Sequence, residues 1–288
     1  MDFKPLLKEN RPTLTENSLK TYQSVLISLW HKVYGDDDFD MSKLKLSKLN
    51  PELDKMTLAT RKTTLSALYV LTEYEPFRKL MMEDIEKTNS INAKQEMNEK
   101  QKEAYVSQED LHNKLLDLDK KVKTMYRTKE YNFGKMQEYI ILSLLSGFYI
   151  PPRRALDYTA FKIKNIDKEK DNYFEKNKLY FNTYKTSSKK GQQVVEVPKE
   201  LSSILKKWIS VNPTDYLLFD SKANPMTSVK LNQKMERMFG KKVGINTMRH
   251  SYMSDKYGAL IHAKQSMNDD FEKMGSSSLQ ENVYIQKK

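Results

Sequence analysis

Between Thr88 and Ala104 apolar side chains almost vanish while Lys, Glu, Gln and Asn dominate; Ile91, Ala93, Met97 and Ala104 are the exceptions. Such a stretch cannot enter a hydrophobic core, so it divides the 288 residues into two folding units. The reading is a domain over 1–88, a linker with some helical content over 89–106, and a second domain over 107–288.

The first unit reads as helices alone. Thr13-x-x-Glu16 has the form of a capping box. Behind it Leu19, Tyr22, Leu26, Leu29, Trp30 and Val33 make one apolar stripe that Gly35 closes. A second helix is expected over 42–49 and a third over 57–74, where Leu58, Leu65, Leu68, Tyr69 and Leu71 recur at helical spacing before Pro76. A fourth is expected over 77–85. Arg61, Lys62, Lys20 and Lys32 fall mostly off these stripes, where they either line a surface for an anionic partner or form a solvated face.

The second unit mixes periods. Ser107-x-x-Asp110 caps a helix through Leu111, Leu115, Leu116, Leu118 and Val122, and an apolar helix over 136–145 ends at Ser146-Gly147. Pro151-Pro152 separates it from a further helix. Over 178–185, Leu179, Phe181 and Thr183 alternate with Tyr180, Asn182 and Tyr184; a Ser/Lys/Gly turn follows and Val195 and Val197 alternate again. That pattern predicts a β-hairpin. Helices are expected over 200–209 and 229–239, the latter capped by Thr227. The fold class is therefore mainly α with a small antiparallel sheet, an α+β chain.

A formal charge of +12 points to a polyanionic partner, nucleic acid before membrane. No apolar run approaches the roughly 20 residues of a membrane span, and Met1-Asp2-Phe3-Lys4-Pro5 lacks a signal peptide's apolar core, so an intracellular location is expected. There is no cysteine, and the histidines (His31, His112, His250, His262) make no HxxxH pair. Neither a thiolate nor a dedicated zinc site is expected, so phosphoryl chemistry here would run without a protein-held metal or other cofactor.

Breaking a DNA phosphodiester without metal needs a nucleophile, cations on the non-bridging oxygens, and an acid for the leaving 5′-oxygen. Arginine suits the second role because its planar fork grips two oxygens and stays charged. Lysine can give up a proton, and tyrosine can form a reversible phosphoester. Candidates occur in order: Arg154, with Ser146-Gly147 before it and Asp157 and Phe161-Lys162 after it; Lys185 in Tyr184-Lys185-Thr186; Arg249 in Asn246-Thr247-Met248-Arg249-His250; Met274-Gly275-Ser276; and Tyr284. Arg153 competes with Arg154, and Lys189 and Lys190 compete with Lys185.

Together these stretches resemble the active-site motifs of the tyrosine recombinases, the strand-exchange family of phage integrases. The motifs cover about residues 130–288, and the first hundred residues match by architecture only. The resemblance implies a helical core-binding domain and a catalytic domain clamped on double-stranded DNA at inverted-repeat sites, with a homo-tetramer on DNA and a monomer or dimer free. It implies Tyr284 as nucleophile, Arg154 and Arg249 on the phosphate, Lys185 as general acid and Asp157 as a fold-supporting acid. Asn246 and Ser276 stand where the family has histidine, and histidine or tryptophan; both hydrogen-bond, but neither titrates near pH 7. His250, the usual trailing histidine, is expected to pack in the core.

The sequence is compatible with two other readings. One is a type IB topoisomerase-like nicking-closing enzyme, which the four residues after Tyr284 favour because they leave no room for a swapped C-terminal helix. The other is a DNA-binding protein whose chemistry has decayed, which the two histidine losses favour.

Overall fold

The computed structural model describes residues 1–277, in two compact units, Met1–Met97 and a second that begins at Asn98. Tyr284 lies outside the described residues. Among them no helix is long and apolar enough to cross a membrane.

The first unit contains α1 (Lys4–Asn10), α2 (Glu16–Tyr34), a 3-10 turn (Met41–Lys43), α3 (Leu46–Leu53), α4 (Leu58–Thr72) and α5 (Glu75–Ala93). The α2 stripe is buried through Leu19, Leu26, Leu29 and Trp30, and α4 adds Leu65, Leu68 and Leu71. The cap of α2 is Thr15, whose hydroxyl accepts from Ser18 N; Glu16 falls inside the first turn, so Thr13 and Glu16 do not form the expected capping box. Thr57 caps α4 in the same way. α1 was not legible as a separate helix, yet it seats Leu7, and Asn10 Nδ2 donates to the carbonyls of Val70 (2.8 Å) and Leu71 (3.1 Å) near the end of α4. Pro76 sits in the first turn of α5, where a missing N–H does no harm.

α5 overruns the expected end of the first domain. From Asn89 to Glu96 every residue is exposed, and the helix continues to Ala93 because nothing in that polar stretch breaks it. Arg61 does not belong to a free basic face: its guanidinium lies 3.5 Å from Asp54 and 3.6 Å from the buried Asp84.

The second unit runs α6 (Glu99–Ala104), α7 (Gln108–Thr128), α8 (Phe133–Leu145), α9 (Leu156–Thr159), β1 (Tyr173–Glu175), β2 (Lys178–Phe181), α10 (Ser187–Lys190), β3 (Gln193–Glu196), α11 (Lys199–Val211), α12 (Ser228–Phe239) and α13 (Ile245–Lys273). Ser107 and Thr227 cap α7 and α12 as their spacing predicts. The centre is α8, where Met136, Tyr139, Ile140, Ile141, Leu142, Leu144 and Leu145 are all buried. A helix apolar on every side must be surrounded, and α7, α11, α12 and α13 surround it.

The sheet is antiparallel in the order β1-β2-β3. The hairpin is present, and β1 extends it by a strand that alternation alone did not reveal. Its two-residue turn, Lys176-Asn177, has φ +50° and +63°, the doubly left-handed form that matches strand twist. β2 stops at Phe181 rather than continuing to Lys185. The reason is Asn172, whose Oδ1 accepts from both Asn182 N and Thr183 N at 2.8 Å and so removes them from the ladder. Leu179 and Phe181 face the core as alternation predicts, but past the interruption Tyr184 is buried and Thr183 exposed.

Candidate active site

The first arginine segment starts where α8 ends. Gly147 has φ +90° and leads through Pro151-Pro152 to Arg153, Arg154 and the short helix α9. The two arginines have opposite environments. Arg153 Nε donates to Asp157 Oδ2 at 2.7 Å and Nη1 to Gln193 Oε1 at 3.0 Å, while its guanidinium lies 3.9 Å from the Phe181 ring centroid. Asp157 is almost fully buried, so this pair supports the fold. The acid therefore serves the neighbouring arginine rather than Arg154. Arg154 is half-buried and, among the described residues, has no side-chain partner.

The same contacts tie the sheet to this segment. Gln193 is the first residue of β3 and Phe181 the last of β2. Asn172 Nδ2 adds bonds to Asp157 O (2.9 Å) and Thr183 O (2.7 Å). The loop between β2 and β3 is closed by Tyr184, whose hydroxyl donates to Gly191 O at 2.9 Å. Lys185, Lys189 and Lys190 all stand exposed on that loop with no side-chain partner among the described residues, so its geometry does not choose between them.

Arg249 enters from the second turn of α13. Gly244 precedes the helix, and Asn232 Oδ1 accepts from Ile245 N at 3.1 Å, fixing its start. Ile245 and Met248 are buried, which turns half-buried Arg249 outward with no partner among the described residues. Asn246 is exposed in the first turn. His250 is exposed too, contrary to the expectation that it packs in the core; Met248 and Ser251 take that face. α13 is held to the Gly147 turn by Tyr252, whose ring lies so close that a Cβ on Gly147 would fall 2.2 Å from Tyr252 Cδ2. The elements carrying Arg154, Lys185 and Arg249 are thus locked to one another.

Ser276 is not brought to them. The glycine turn is real: Gly275 has φ +67°, and Ser276 N donates to Phe271 O at 2.8 Å. But α13 is one helix of 29 residues without proline, and Gly258 inside it is tolerated. Arg249 and Lys273 are therefore separated by about 36 Å along the axis at 1.5 Å per residue. Ser276 lies beyond that end, so it does not stand in for the family's histidine or tryptophan beside Arg249 of its own subunit.

Sequence reading missed Tyr252, Asn172 and Gln193 as site-building residues. Only the Arg153–Asp157 pair carried a signal, the i,i+4 spacing of opposite charges. Tyr105 was missed as well: its hydroxyl donates to Asp255 Oδ1 of α13 at 2.5 Å, and that bond, with burial, pushes its pKa up to about 12. The neutral phenol is favoured in the fold, so this contribution is full below the ordinary value of 10 and fades as pH rises from 10 through 12. Urea midpoints are expected to fall across that window in the wild type and to fall less in Tyr105→Phe.

No protein-family model and no curated protein matches this sequence. Solved structures do match. One is the Tn1549 transposon integrase in complex with transposon right end DNA, at 13% identity and TM-score 0.55 over 90% of this chain and 87% of that one. The chain has the tyrosine-recombinase fold. A second match is the XerH site-specific recombinase bound to its difH substrate, at 17% identity and TM-score 0.51 over 89% and 72% of the two chains. A third is a lambda integrase tetramer bound to a Holliday junction, at 14% and 0.50 over 87% and 69%. In this tyrosine-recombinase fold the unpaired cations stand on the turn after α8, on the β2–β3 loop and on the second turn of α13.

Proposed function

We propose that the protein is a site-specific DNA recombinase that cuts and rejoins strands of double-stranded DNA through Tyr284. The observation that carries this reading is three cations, Arg154, Lys185 and Arg249, on elements locked together and neutralised by no carboxylate among the described residues. Cations that no carboxylate neutralises keep their full charge for an anion, and a phosphate diester supplies one.

In this mechanism Arg154 and Arg249 grip the non-bridging oxygens and stabilise the charge that builds as the phosphorus is attacked. The Tyr284 hydroxyl loses its proton to solvent as its oxygen bonds to phosphorus, and the bond to the 5′-oxygen breaks. Lys185 gives that oxygen its proton, leaving a 3′-phosphotyrosine and a free 5′-hydroxyl. Attack by the 5′-hydroxyl of a partner strand reverses the step. Asn246, exposed in the first turn of α13, can donate its amide to the phosphate but cannot supply a proton. Inverted-repeat DNA ends and a tetramer on DNA complete the reading, in keeping with the DNA complexes among the structural matches.

The decayed-scaffold reading keeps one supporting observation, the distance of Ser276 from Arg249. Covalent trapping separates the two. Suicide duplexes nicked near the scissile position, built from the inverted repeats flanking the gene, are incubated with protein without added metal and run on a denaturing gel. A shifted protein–DNA band that is lost in Tyr284→Phe is expected. Clear binding without a band would turn the assignment to a DNA-binding scaffold, and a band that survives the substitution would mean another nucleophile.

A further inference from the structure

The helix that carries Arg249 presents two more side chains on the same side. Residues three and seven positions along an α-helix return to nearly one face, so Tyr252 and Lys256 stack above Arg249. Helical side chains lean toward the N-terminus, which draws Lys256 back across Tyr252. Its Nζ lies 3.0 Å from the Tyr252 hydroxyl and 5.3 Å from the ring centroids of both Tyr252 and Tyr257. Tyr252 is itself seated against Gly147, so the ammonium rests on a fixed support.

This lysine is held without being neutralised. No carboxylate pairs with it among the described residues. Its neighbour Asp255 is engaged elsewhere, accepting from Tyr105 Oη and from Gln108 N at the start of α7. The contrast is with Lys121 and Lys123 on α7, paired with Asp117 at 2.7 Å and Asp119 at 2.6 Å. Aromatic faces attract an ammonium and restrict it, yet leave its full charge for an anion.

We propose that Lys256 binds a DNA backbone phosphate next to the one at Arg249, positioned by Tyr252 and Tyr257. The two Cα atoms are about 10 Å apart along the helix and both side chains lean the same way, a spacing that favours separate phosphates over one shared between them. The pair would set the register of the scissile phosphate over Arg249. This inference rests on the reading of the protein as a DNA recombinase.

The test is equilibrium binding of a fluorescent duplex containing the inverted repeat, measured over a range of potassium chloride concentrations. Each phosphate contact contributes about 0.9 to the slope of log affinity against log salt. Lys256→Met is expected to make the slope shallower by about that amount with unchanged thermal unfolding, since the side chain is exposed. Lys256→Arg is expected to restore it, which a merely structural role would not require. A Lys256→Met slope equal to wild type, in an experiment where Arg249→Met is shallower, overturns the proposal and leaves the recombinase reading standing. Absence of duplex binding by the wild type removes both.

Discussion

Arg154→Ala is expected to lower strand cleavage by roughly 100- to 1,000-fold, the usual loss when one donor to a developing charge is removed, with stability unchanged. Arg154 has no partner to abandon, so its deletion leaves nothing stranded. Arg153→Ala is expected to do the reverse. It removes the guanidinium from Asp157, whose side chain is 5% exposed and whose Oδ1 already lacks a hydrogen bond. Breaking one side of such a buried pair destabilises by about 3–5 kcal/mol. Urea unfolding and covalent trapping, run on both variants, separate the roles. Loss of cleavage in a stable Arg153→Ala, with cleavage intact in Arg154→Ala, would exchange the assignments.

Gly147→Ala is expected to destabilise the second unit by about 2–5 kcal/mol, combining left-handed strain with overpacking. At φ +90° an alanine is strained before any contact is counted. Its Cβ would then meet Tyr252 Cδ2 at 2.2 Å, Cε2 at 2.9 Å and Cγ at 3.1 Å. The ring cannot swing clear easily, because Cγ lies close to the helix backbone that holds it. The same clash pushes α13 off the turn that leads to Arg154, so cleavage should fall more steeply than stability alone explains. Tyr252→Ala removes the obstacle, and the double variant is expected to lose less than the two single losses added together, by more than 1 kcal/mol. Additive losses would mean that the ring does not press on the turn.

Most of the architecture was legible because it depends on local rules. Apolar spacing at helical period marked α2, α4, α7, α8, α11 and α12, and the caps at Ser107 and Thr227 were readable as Ser/Thr before an apolar stripe. The missed pieces are those whose stability comes from elsewhere. α1 is seven residues, too short for a periodic signal, and is held by Asn10 on α4. β1 is three residues with no glycine at its turn. The end of β2 was misjudged because a distant asparagine, Asn172, took the N–H groups that alternation assigned to the ladder.

The candidate site divides in the same way. The resemblance to the recombinase motifs singled out Arg154, Lys185, Arg249 and Tyr284, since charge, proton donor and nucleophile are properties of the side chain itself. Which arginine is bound by Asp157 was decided only in three dimensions, where Phe181 and Gln193 from the sheet complete the cradle for Arg153. That Ser276 stands far from Arg249 was also decided there, because a glycine turn reads the same wherever the helix before it happens to end. Chemistry is carried by the identity of a residue and is written in the chain; proximity and neutralisation depend on what other segments place beside it, and only the packed fold determines them.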